Sequence, residues 1–386
     1  MKNLFLLDDN ITFLNFGSFG SCPKEVFDDY MQWQYLLEKE PVQFIAFDGI
    51  GYVKHALSAL ATYINCNAND LVFVPNPTHA VNLLAKTIKL AAGDEVLSTN
   101  LEYGAMDRTW NYYCKAAGAK YIQQPIRLPL TSKEAFLAEF WKGYSANTKV
   151  VFISQITSST ALIFPVKEIC EEAKKRGLIT IVDGAHVPAH IDLDLSQLQA
   201  DFYTGACHKW MMTPKGCSFL YAKPEFQEML DPLIISWGYQ SASPSDSQFF
   251  DYHQFNGTRD FSAYLTVPKA LAFMEKHDWK KVSDQCKNNL LAVAPKLFEL
   301  LNTKPLAPLT KDFFGQMCSV EIKTTEPEKL QRLLFEKYRI EIPVMRHADK
   351  CYLRFSFQAF NTTTEIDYLV QSLAEIIKET NLISVN

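Results

Sequence analysis

The sequence predicts an α/β fold built on a mostly parallel sheet, with a smaller α+β domain attached. Two observations carry that prediction. Between about residues 68 and 225, short apolar runs alternate with amphipathic, helix-period stretches, the pattern of strands joined by crossover helices. After residue 260 the texture changes to long helical stretches with two well-separated apolar runs. The chain has 386 residues, 48% of them hydrophobic. That is ample for sizeable cores and for two units, which we place at 21–259 for the large domain and at 1–20 with 260–386 for the small one.

Element by element, the first strand is 71–74, followed by a helix over 78–90 whose Ala80, Leu83, Leu84, Thr87 and Ile88 share one face. Strand 95–99 and helix 105–117 come next, then strand 120–124 and helix 132–141. Strand 150–154 leads to helix 166–176, which Gly177 closes. Runs 178–182, 200–204 and 217–222 complete a seven-stranded set. In the second unit, 264–277, 279–301, 327–337 and 364–379 read as helices and 316–322 and 351–357 as strands. The polar segment 240–246 is a loop near the domain transition.

Composition excludes several classes. The net charge of −5 comes from interleaved acids and bases, with no basic stripe for nucleic acid. The apolar runs are too short to span a membrane, and the N-terminal one is cut off by Asp8 and Asp9 before it makes a signal-peptide core. Nine cysteines form no CxxC pair and no Cys/His cluster, so metal is not expected and a reducing cytoplasm is. A nucleotide-binding dehydrogenase would need a Gly-rich turn of the GxGxxG kind, and the chain has none.

Chemistry concentrates at strand ends, where ligands of open α/β sheets bind. Strand 178–182 runs into Asp183-Gly184-Ala185-His186, and 200–204 into Gly205-Ala206-Cys207-His208-Lys209-Trp210. An acid at one strand end and a lysine at the next suit pyridoxal phosphate, PLP. Its aldehyde needs an amine partner and its ring nitrogen a carboxylate. Either residue alone reads as well as a helix cap or a surface lysine. The combination with His186, His208 and Pro214-Lys215-Gly216 resembles the class V aminotransferase family, most closely its isopenicillin N epimerase-like branch.

That resemblance runs along nearly the whole chain and implies the PLP-dependent transferase fold, PLP as cofactor, and a set of roles. Lys209 is the Schiff-base lysine and Asp183 the partner of the ring nitrogen. His186 contacts the ring hydroxyl, with Thr157 or Gln155 near the same atom. Pro75-Asn76-Pro77-Thr78-His79 resembles the phosphate-binding turn, so Thr78 and His79 are placed there, with His208 beside them. Tyr103, in Glu102-Tyr103-Gly104, stacks on the ring. Gly257 and Thr258 resemble an element that reaches the phosphate of a neighbouring subunit, which implies a homodimer with shared sites. Arg354 is the clamp for the substrate carboxylate, since its planar fork grips two oxygens at once. Asn15 and Ser18 belong to an N-terminal segment, Leu14 to Gly20, that folds over the site.

The expected function follows from these roles: a PLP enzyme that labilises the Cα–H bond of an amino acid through Lys209. Epimerisation, transamination and C–S lysis diverge after that step. A cysteine desulfurase ranks lower, because Cys351 lies within the strand that carries Arg354 rather than on a loop. A non-catalytic binding protein of the same fold would have dispensed with Lys209, Asp183 or Arg354, and all three are present.

Overall fold

The structure is a computed structural model and describes residues 1–385. A two-residue strand, β1 (Thr12–Phe13), precedes the helices Lys24–Lys39 and Gly49–Ile64. The sheet then forms from β2 (Leu71–Val74), β3 (Glu95–Thr99), β4 (Lys120–Gln124), β5 (Thr148–Ser154), β6 (Ile179–Gly184), β7 (Phe202–Ala206) and β8 (Ser218–Ala222). Helices Pro77–Thr87, Gly104–Ala117, Lys133–Phe140 and Val166–Lys175 connect them.

The seven strands lie in the order β2-β8-β7-β6-β5-β3-β4. The run from β7 to β4 is parallel. β8 is antiparallel to both of its neighbours. Its direction follows from its connection: a parallel return needs a crossover, and the chain between Ala206 and Ser218 turns back without one. That turn carries Lys209.

Side chains alternate between two apolar layers, as strands covered on both faces require. Val150, Phe152, Ile181 and Phe202 pack on one face with the helices Pro77–Thr87 and Gly104–Ala117. Val151, Ile153, Val182 and Tyr203 pack on the other, in a core shared with the N-terminal and C-terminal parts of the chain.

The rest of the chain supplies β9 (Met317–Ile322), β10 (Ile340–Glu341), β11 (Val344–His347) and β12 (Lys350–Ser356), with helices Trp279–Leu300, Pro327–Glu336 and Thr363–Glu379. β11, β12 and β9 form an antiparallel sheet, and β1 pairs with β10. The expected helix over 264–277 is broken into Ser262–Leu265 and Val267–Lys276 around Thr266, ahead of Pro268. Two long helices escaped the sequence reading. Lys24–Lys39 has a single buried residue, Val26, and leaves Tyr35 and Leu36 exposed, so its apolar face lacks a clear core stripe.

Candidate active site

A cavity of about 510 Å³ opens at the carboxyl ends of the parallel strands. Lys209, Asp183, His186, His208, Tyr103, Thr78, Ser18 and Arg354 all line it. The sheet brings them together. Asp183 ends β6 beside Ser154 of β5 and Thr204 of β7, so three neighbouring strand ends form the floor.

Lys209 follows β7 in the turn to β8. The backbone N–H groups of Cys207 and His208 both donate to the Cys217 carbonyl, at 3.0 and 3.1 Å, and close that turn. From the other side, Gly20 packs on the lysine's own backbone. A Cβ at position 20 would stand 2.5 Å from the carbonyl oxygens of His208 and Lys209, and its φ of +64° favours glycine besides. Burial, then the charge of Arg354, lowers the Lys209 pKa to about 8, while Asp183 acts to raise it. Its amine is therefore freed of its proton far more readily than an ordinary lysine's, which favours its use as a nucleophile.

Asp183 is buried and takes one hydrogen bond, from the Ala185 N–H at 2.9 Å. Burial raises its pKa, with that N–H and Lys209 pulling the other way. A carboxylate in this state gains from a cation placed against it, which a protonated pyridine nitrogen would supply. His186 lies 3.2 Å from Lys209, Nε2 to Nζ, and burial followed by the Lys209 charge keeps it neutral. Its Nδ1 is buried with no partner.

At the far end, Asn76 caps the helix Pro77–Thr87 by accepting from the His79 N–H at 2.9 Å. Thr78 is thereby the residue of the turn that faces the cavity with N–H and hydroxyl uncommitted among the described residues. A helix N-terminus of this kind favours an anion. His208 gives its Nδ1 to the Cys217 carbonyl at 2.9 Å, which leaves Nε2 for the cavity.

Arg354 projects from β12. Nη1 donates to the Ser158 carbonyl at 2.7 Å and Nη2 to the Ser18 hydroxyl at 2.9 Å. Ser18 donates in turn to Asn15 at 2.5 Å. A hydrogen bond of 2.8 Å from Ser319 on β9 to the Ser159 carbonyl fixes the loop that presents Ser158. No carboxylate pairs with this buried arginine among the described residues. A buried cation held only by neutral acceptors is ready for an anionic ligand.

Other expected residues stand elsewhere. Asn15 supports Ser18 rather than lining the cavity. The Thr157 hydroxyl accepts from the Leu162 N–H at 2.9 Å and pairs with Thr160 at 2.6 Å, inside its own turn, while Ser154, Ile156 and Ser158 line the cavity. Gln155 accepts from the Tyr203 phenol at 2.8 Å, away from the lining. The His79 backbone N–H is consumed by Asn76. Gly257 and Thr258 line a second, smaller cavity of about 170 Å³ with Trp237 and Phe250.

One buried acid went unassigned by sequence reasoning. Glu102 accepts from the Thr99 hydroxyl at 2.7 Å and from the Ser154 N–H at 2.9 Å, tying the β3 exit to the β5 exit beside Tyr103. Burial raises its pKa to about 8, and Asp183 adds to the rise. Its place directly before Tyr103, at a strand end, was the available signal.

The residues thus meet the needs of PLP: an amine, an acid awaiting a cation, an orphan imidazole nitrogen, and an anion site at a helix start. Among the described residues no cluster suits a metal, and no helix is long and apolar enough to cross a membrane.

Comparison with known proteins agrees. The sequence model of the family Aminotransferase class-V matches residues 46–369. The chain is 31% identical to isopenicillin N epimerase of Amycolatopsis lactamdurans, over 96% of each protein. It is 32% identical to that of Streptomyces clavuligerus, over 98% of each. Among solved structures, C-DES with glycine covalently linked to its PLP cofactor superimposes with a TM-score of 0.85 at 19% identity, covering 97% of this chain and 99% of the other.

Proposed function

The chain belongs to the class V aminotransferase family, and on that premise we propose that it is a PLP-dependent enzyme acting at Cα of an amino acid, with epimerisation as the leading reaction. The observation that carries the proposal is the convergence of Lys209, Asp183 and Arg354 on one cavity, the acid and the arginine buried, the lysine half-buried, and none of them in an ion pair among the described residues.

When bound, PLP supplies an aldehyde for amine exchange and an electron-withdrawing ring that acidifies the Cα–H bond. The protein does the rest. Asp183 would hold a proton at the ring nitrogen. The Thr78 turn and His208 would bind the phosphate. Tyr103 would cover a ring face, and His186 would bond the ring hydroxyl. Arg354 holds the substrate carboxylate, which takes over hydrogen bonds now made by Ser158 and Ser18. With cofactor and substrate bound, Lys209 would take and return the Cα proton.

The likeness to isopenicillin N epimerases over nearly the full chain favours return of the proton on the opposite face. C–S lysis shares every residue role up to that point and differs in the loss of a β-substituent. The Gly257–Thr258 element lies outside the main cavity of its own chain, and the exposed Trp237 beside it supports a homodimer in which that element serves the neighbouring site. Nine free thiols fit a reducing cytoplasm.

The test is the visible absorption spectrum of the purified protein before and after borohydride, with Lys209→Ala as control. A cofactor band fixed by reduction onto Lys209 supports the reading. A colourless protein that takes up no added PLP overturns it. An amino-acid panel scored for racemisation, pyruvate release and keto-acid formation then separates epimerase from lyase and aminotransferase.

A further inference from the structure

The cation that the proposed mechanism leaves unused is Arg259. It sits one residue beyond the Gly257–Thr258 pair, and its Nη1 donates to the Tyr264 phenol at 2.6 Å. Its Nη2 is buried with no partner among the described residues. No carboxylate neutralises it among the described residues. Asp260, next in sequence, is occupied with Gln34, Tyr30 and the Ser262 N–H. A guanidinium in this state carries its full charge into a partly desolvated place, where charge acts over a longer range than in water.

Its surroundings say where that charge is felt. Tyr264 stacks on Phe73 of β2 with ring centroids 4.7 Å apart and planes at 10°. Gln254, from the same stretch, accepts from the Phe73 N–H at 3.0 Å. β2 runs straight into the Pro75–Thr78 turn. Arg259, which lines the smaller cavity with Gly257 and Thr258, is thus tied through Tyr264 to the strand that leads into the turn offering the main cavity its helix N-terminus. His79, within that helix start, has its proton affinity lowered by burial first and by Arg259 second, so the charge reaches that position.

We propose that Arg259 is a positioning residue for the phosphate end of the site: its unpaired guanidinium adds to the field of the Asn76–Thr78 turn and makes the cavity selective for a phosphorylated over an unphosphorylated ligand. The inference rests on the PLP reading above. It adds a residue, and a discrimination, that the reading does not need.

The experiment compares the full chain and its Arg259→Gln and Arg259→Lys variants for the dissociation constants of PLP and of pyridoxal, which has the same ring and aldehyde without the phosphate. Inorganic phosphate serves as a competitor. Loss of one unscreened charge near a dianion should weaken PLP and phosphate about tenfold at low salt. Pyridoxal should bind as before, and lysine should restore most of the loss. Tyr264→Phe removes the phenol but keeps the charge, so it should retain the preference for PLP even if it costs stability.

Equal weakening of PLP and pyridoxal in Arg259→Gln would show a packing role and overturn the proposal, as would no change in either. Should Arg259→Gln fail to fold, the lysine and Tyr264→Phe variants decide: loss of phosphate preference in Tyr264→Phe sinks the idea. If the parent protein binds neither compound, the PLP reading itself has failed, which is a different result.

Discussion

Two cavities of nearly equal size lie on either side of the turn that follows β6, about 510 Å³ at the strand ends and about 530 Å³ behind it. Each contains a buried histidine from that turn, His186 in front and His190 behind. His190 is saturated. Its Nδ1 donates to the His186 carbonyl at 2.8 Å, its Nε2 accepts from the Gln316 N–H, and its ring stacks on Trp210 at 3.9 Å. His186 has one buried nitrogen with no partner and the other against Lys209. Size does not tell these cavities apart. Unmet bonding capacity does, because burying it costs free energy that only a ligand recovers.

The sharpest way to break that comparison is to remove the groups with unmet capacity and watch function, then the saturated ones and watch stability. Lys209→Ala should lose the borohydride-fixed band altogether and cut turnover on the order of 10²–10⁴-fold, the usual contribution of a positioned acid–base group. Arg354→Lys comes next. A lysine keeps the charge but not the planar fork, so KM for the amino acid should rise about 10–100-fold with a smaller change in kcat, while cofactor binding holds. Steady-state kinetics over a substrate series measures the split. Equal falls in kcat for both variants would mean that Arg354 does more than hold the carboxylate.

The histidine pair gives a smaller and more direct contrast. His190→Phe keeps the stacked ring on Trp210 but strands the Gln316 N–H and the His186 carbonyl. It should cost about 1–3 kcal/mol in denaturant unfolding and leave turnover per folded molecule near the parent value. His186→Phe should do the reverse, lowering turnover with little loss of stability, since no bond of the fold depends on that ring apart from Lys209. If both variants behave alike, bonding saturation is the wrong criterion for reading this turn.

How much of this was legible in the sequence follows the same division. Asp183 and Lys209 stand out in the sequence because strand periodicity fixes where a strand ends, and ligands of such sheets bind there; Tyr103 is picked out by the resemblance to the family. Arg354 is picked out by the resemblance of Leu353-Arg354-Phe355-Ser356 to the family's carboxylate clamp. Thr157 and His79 are assigned as ligands by the same resemblance. The structure commits the Thr157 hydroxyl and the His79 N–H to local turns, through Leu162 and Asn76, a competition that sequence spacing does not reveal. Ser158 and Glu102 owe their places to neighbours 196 and 52 residues away, Arg354 and the Ser154 N–H. Such contacts come from strand order and register rather than from any local pattern.

Glu102 supplies the finest test, because it is buried, hydrogen-bonded and still electrostatically strained. Burial lifts its pKa from 4.5 to about 8 in the folded protein, with Asp183 adding to the rise and the Ser154 and Thr99 hydrogen bonds opposing it. An acid with a raised folded pKa binds more protons folded than unfolded across that interval. Its contribution to stability is therefore full below pH 4.5 and drains away as pH climbs through about 8. The cofactor-free protein should lose melting temperature across this window. Glu102→Gln, which cannot ionise, should flatten the loss while giving up one hydrogen bond, at the Ser154 N–H or at Thr99, for about 1 kcal/mol. The two profiles should then cross as pH rises, with Glu102→Gln the more stable on the alkaline side, and profiles that stay parallel would mean that Glu102 is ionised throughout. If Asp183 pairs with the protonated ring nitrogen as proposed, bound PLP lessens the repulsion between the two acids, and the drop in the loaded enzyme should move to lower pH as Glu102 ionises more readily.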